Sequence, residues 1–110
     1  MAYDPAIAER IRTTFANEGA VRERKMFGGL AFLLNGNLAV SAYKDGGLMI
    51  RCAGEDWKML CSEEGARPML RKGEPVSGWV LIAADAVQDE QSLAKWVQRG
   101  LAHAEAQPPK

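Results

Sequence analysis

The stretch FGGLAFLLNGNLAVSAYKDGGLMIRC, Phe27 to Cys52, decides the fold. Two turn signals divide it, Asn35-Gly36 and Asp45-Gly46-Gly47, whose residues accept positive φ at little cost. It therefore reads as an antiparallel meander of three strands: about Phe27 to Leu34, Asn37 to Tyr43 and Gly47 to Cys52. The middle strand sets Leu38, Val40 and Ala42 against Ala39, Ser41 and Tyr43, which turns one face towards a core. Gly28 and Gly29, at its start, pose a choice between a phosphate-cradling loop and a backbone device. A phosphate loop needs N–H groups converging at a helix N-terminus and, in its Walker form, Gly-Lys-Ser/Thr. Here Leu-Ala-Phe-Leu-Leu follows. The glycines are read as structural, letting the first strand bend or bulge, or letting another backbone come close.

Helices flank this meander. Asp4 is a good N-cap, Pro5 suits the first helical position, Ile7, Ile11 and Phe15 form one apolar stripe, and Gly19 can end the helix. After the meander a short helix runs from about Glu55 to Glu64, with Trp57, Leu60 and Cys61 on one side and Gly65 behind it. A short strand, a turn around Lys72 to Pro75 and a strand from Gly78 to Ala83 follow. Asp89 then caps a last helix in which Leu93, Trp96, Val97, Gly100, Leu101 and Ala104 make a buried stripe. The order helix, three strands, helix, two strands, helix predicts a two-layer α+β sandwich, a largely antiparallel sheet with helices on one face. Residues 1–106 make one domain and 107–110 a disordered tail.

A chain of 110 residues buries roughly two-thirds of its unfolded surface and needs no metal or disulfide to fold. Fourteen basic residues balance fourteen acidic ones, so there is no net positive field to draw in phosphates, and nucleic acid is not expected as a direct ligand without a local patch. Cys52 and Cys61 have neither redox nor zinc spacing and read as reduced thiols. No segment approaches the roughly 20 apolar residues that span a bilayer, and the N-terminus has no export pattern, so a cytoplasmic protein without membrane contact is expected.

Chemistry is sparse. His103, the single histidine, falls near the end of the last helix, where a surface position is expected. Glu63-Glu64 reads as solvated, and Asp89-Glu90 as capping. Arg22, Arg24 and Lys25 form one basic cluster, and Arg67, Arg71 and Lys72 another, each diluted by nearby glutamates. The three tryptophans fit core or interface anchors, and Tyr43, Met49 and Trp79 together on an uncovered sheet face would favour a homodimer. No constellation marks an enzyme, and no cofactor or metal is expected. A second reading places a small-molecule pocket between sheet and helices, lined by Met26, Cys52, Met59 and Trp57.

RKMFGGLAFLLNGNLAVSA, residues 24–42, resembles the opening of the N-terminal domain of the TfoX/Sxy family, where a basic residue, Met-Phe-Gly-Gly, a strand and an Asn-Gly or Asp-Gly turn recur. The matching positions are Lys25, Met26, Phe27, Gly28, Gly29, Asn35 and Gly36, and DGGLMIRC and GWVLIA extend the similarity along the chain. The resemblance implies the element order just read and a regulatory role in bacteria. Full-length members control competence genes together with the cyclic-AMP receptor protein and carry a second, helical domain. This sequence stops after its last helix, so competence activation is not carried over. The expectation is a noncatalytic regulatory or interaction domain that meets an unknown acidic protein partner through Arg24 and Lys25 at the sheet edge.

Overall fold

The computed structural model describes residues 3–15, 21–26 and 28–109. Helix α1 (Pro5–Thr14) starts as its residues dictate: Asp4 Oδ1 accepts from the Ala6 N–H at 2.9 Å, and Ile7 and Ile11 are buried. The helix-ending role expected of Gly19 lies outside the described residues, as do Phe27 and Lys110.

The sheet has six antiparallel strands rather than five. They are β1 (Val21–Met26), β2 (Gly29–Leu34), β3 (Asn37–Ala42), β4 (Leu48–Arg51), β5 (Ala66–Arg71) and β6 (Glu74–Ile82), in the spatial order β1-β2-β3-β4-β6-β5. The extra strand is β1, whose four central residues are all exposed and charged. An edge strand of that kind buries almost nothing and carries no apolar alternation. With β1 ahead of them, the two glycines lie at a hairpin between strands. Gly28, at φ +77°, sits in the tight connection between β1 and β2, and Gly29 opens β2 opposite Met26. A Cβ on Gly29 would fall 2.3 Å from the Ala42 carbonyl oxygen, so close backbone approach, not a bend within one strand, requires glycine there. Asn35 and Gly36, both at positive φ, make the β2–β3 hairpin turn as expected.

Helix α2 (Gly54–Cys61) follows β4, and helix α3 (Glu90–Ala106) follows β6 through a short 3-10 turn. Asp89 caps α3 by accepting from the Ser92 N–H at 3.0 Å, and all six residues of the expected stripe are buried. The main core lies between helices and sheet, with Ile11, Phe32, Ile50, Leu93, Trp96 and Val97 at its centre. The strict alternation read for β3 fails at one point. The β2–β3 register shifts between Phe32 and Leu33, so Ala39 and Val40 both join the helix-side core while Leu38 turns away. This bulge lies directly under α3, where Gly100 brings the helix backbone onto the Ala39 carbonyl. Asn37 Nδ2 donates to the Pro108 carbonyl at 2.9 Å, tying the segment after α3 to the sheet.

Candidate functional site

β1 runs along the sheet edge, and its register with β2 assigns each side chain to a face. Arg22 stands opposite Leu33 and Arg24 opposite Ala31, on the face without helices, whereas Glu23 and Lys25 stand opposite Phe32 and Leu30 on the helix side. Arg24 and Lys25 are both exposed, yet adjacent strand residues point to opposite faces. The single basic cluster expected from the sequence is therefore split. Glu23 is held by Arg12 of α1 at 2.6 and 2.8 Å, which keeps its carboxyl below the usual range.

The face without helices has its own small core. Ala31, Leu38, Tyr43, Met49 and Leu81 are buried, and Met26, Leu33, Met69 and Trp79 lie half-buried against them. Tyr43 is only 8% exposed and Met49 1%, each buried by the chain itself, so neither is the exposed apolar surface on which self-association was expected to rest. Around this floor stand cations. Lys44 Nζ lies 5.8 Å from the Tyr43 ring centre, and the Arg51 guanidinium lies 4.9 Å from that of Trp79. Arg67, opposite Leu81, pairs with Asp45 at 2.6 Å. Arg51 Nε is buried with no acceptor among the described residues. Trp79 also accepts, through its carbonyl, the Trp57 indole N–H at 2.9 Å, which fastens α2 to β6.

A concavity of about 440 Å³ lies between α2 and the last turns of α3, with Cys52, Asp56, Met59, Leu60, Arg99 and His103 in its wall. It contains two residues of the expected pocket, Cys52 and Met59. Trp57 is committed to its bond with β6, and Met26 lies on the opposite face of the sheet, so the four do not meet. His103 is half-buried, and burial, aided by the nearby Arg51 charge, lowers its pKa; the helix C-terminus alone would have raised it. Burial raises the Cys52 and Cys61 thiols, so both are poor nucleophiles at neutral pH. Glu63 is not solvated as expected. It bridges Lys95 at 3.2 Å and Arg99 at 2.8 Å on α3, and Arg99 chiefly holds its pKa down.

Among the described residues no group of three or more His, Cys, Asp or Glu is placed to hold a metal, and no helix is long and apolar enough to cross a membrane. Sequence reasoning missed Arg22, Arg51 and Arg67 as members of one face. The signal was present only in part, as the two-residue spacing of Arg22 and Arg24, which means a shared face once β1 is known to be a strand.

No curated protein and no solved structure matches the chain. The family model of the TfoX N-terminal domain matches residues 13–104, from the end of α1 through all six strands to the last turn of α3. With most of its length matched, the chain belongs to the TfoX N-terminal domain family.

Proposed function

We propose that this domain is a noncatalytic regulatory module of bacterial cytoplasm that works through protein contacts, in the service of transcriptional regulation. One observation carries the reading. A six-stranded sheet has helices packed on one face, while the other presents Met26, Leu33, Met69 and Trp79, half-buried, with no second layer over them among the described residues. Apolar area partly open to water and rimmed by polar groups is where association gains most. A second copy of the chain, giving a homodimer, is one occupant consistent with this reading.

A photocrosslinking amino acid placed at Leu33, in cells expressing the domain, tests it. Discrete protein adducts from Leu33 that are absent from the exposed helical position Gln98 support the proposal. Identical adduct patterns from both positions, or none from Leu33, refute it. A second reading, a small-molecule site, is favoured by the concavity between α2 and α3, whose volume falls in the range of ligand pockets. A compound that raises the melting temperature in wild type but not in Ala102→Trp, whose ring would fill the concavity from its wall, would support that reading.

A further inference from the structure

The chain's zero net charge conceals a division between its two layers. The strands and their turns, residues 21–51 and 66–82, carry eight basic side chains and three acidic ones, Glu23, Asp45 and Glu74. The described helical part, residues 4–15, 53–65 and 83–109, carries ten acidic side chains and five basic ones. The ion pairs sharpen the division. Glu23 and Asp45 are each occupied by an arginine, whereas Arg22, Arg24 and Arg51 make no ion pair among the described residues. The layer that has no helix on its outer face is thus the positive pole of the molecule.

Resting on the protein-contact reading above, we infer that the outer sheet face docks an acidic amphipathic helix of a partner protein. Three features select that occupant. Both sheet edges are blunted against strand addition, β1 by four consecutive charged residues and β5 by Pro68, so a partner comes onto the face rather than beside it. The aromatic rings of Tyr43 and Trp79 already lie under Lys44 and Arg51, which leaves no open stacking platform for bases. Leu33, Met26 and Met69 instead offer adaptable apolar contact of the kind a leucine stripe fills. The size fits as well: five inter-strand steps of about 4.8 Å separate β1 from β5, roughly 24 Å, the length of a helix of about 16 residues. Such a helix would set flanking carboxylates near Arg22 and Arg24 at one end, near Arg51 of β4 along its course, and near Arg67, in competition with Asp45, at the other. The opposite sheet face is covered by helices in the same manner, through apolar stripes.

The probes are three fluorescent synthetic ligands of matched length: a leucine-striped helix flanked by glutamate, the same helix flanked by glutamine, and a thymidine oligonucleotide. Fluorescence anisotropy reads their binding to the wild-type domain, to Arg22→Glu/Arg24→Glu, to Arg22→Gln/Arg24→Gln and to Lys58→Glu on exposed helical surface, with circular dichroism confirming that each variant is folded. The glutamate helix is expected to bind wild type and Lys58→Glu alike. Its affinity should fall about tenfold or more in the Arg22→Glu/Arg24→Glu variant, less in the glutamine variant, and several-fold when salt rises from about 0.05 to 0.5 M. Equal binding of the glutamine-flanked helix, indifferent to charge reversal, would overturn the acidic preference while leaving the protein-contact reading standing. Preferential binding of the oligonucleotide, weakened by the same reversal, would overturn both. Failure of all three ligands to bind would overturn the docking inference.

Discussion

Replacing Gly100 by alanine tests how α3 is seated on the sheet. In an isolated helix the change is favourable by about 1 kcal/mol, because glycine pays more backbone entropy than alanine. Here the added Cβ would lie 2.0 Å from the Ala39 carbonyl oxygen, 2.9 Å from the Ala39 carbonyl carbon and 3.3 Å from Ile50 Cγ2. The nearest obstacle is backbone at the β3 bulge, not a flexible side-chain tip, so relief requires α3 to move away by more than an ångström. Leu93, Trp96, Val97 and Leu101 share that helix and are all essentially buried, so lifting it thins the packing under each of them. Overpacking of a well-filled core costs about 1–3 kcal/mol, and partial loss of contacts under four large side chains adds about 1–2 more. Against the propensity gain, the net expectation is a loss of about 1–4 kcal/mol. Urea unfolding followed by circular dichroism should show a midpoint lowered by roughly 2 M with an unchanged slope, taking a slope of about 1–1.5 kcal/mol/M. A midpoint that stays put or rises would refute the close seating of α3 on Ala39.

Three further outcomes follow from the charges and thiols. Glu63, its pKa lowered chiefly by Arg99, contributes stability that is present above its unfolded value of 4.5 and lost as pH falls through the folded value. The deficit of Glu63→Gln relative to wild type, on the order of 1 kcal/mol or less near neutrality, should shrink in urea titrations as pH falls below 4.5. His103 titrates in a higher window: its lowered pKa means that the fold favours the neutral ring, so stability present above 6.5 declines as pH falls below it. His103→Gln should flatten that decline between about pH 7 and 5.5, and an unchanged slope would count against the burial of the ring. Both thiols should react with a disulfide reagent at least about tenfold more slowly in the native protein than in denaturant, because burial holds them protonated.

The parts of the fold legible in the sequence were those whose signal is local. Asp4 and Asp89 cap the helices they precede, Asn35-Gly36 turns the hairpin, and the stripe from Leu93 to Ala104 is buried as its spacing requires. β1 was not legible, because an edge strand covered on neither side by much apolar surface has no periodicity to betray it. The β3 bulge was hidden for a different reason. The period-two pattern of Leu38 to Tyr43 is unbroken in the sequence, and only the register against β2, set by the turn at one end and by Gly29 at the other, inserts the extra residue.

The candidate surface was half legible, and the missing half follows from the same strand. Read as a loop, Arg22, Arg24 and Lys25 form one patch because they are near in sequence. Read as an edge strand, Arg22 and Arg24 share a face and Lys25 opposes them, a distinction that one-residue adjacency conceals and two-residue spacing reveals. The other cations of that face, Arg51 and Arg67, are remote in the chain and lie across the sheet from β1, reaching the same face only because β4 and β5 flank β6. Net charge was uninformative for the same reason. It sums over both layers, whereas a partner on one face responds chiefly to charges within about a Debye length, roughly 8–10 Å, and in this molecule those are predominantly basic.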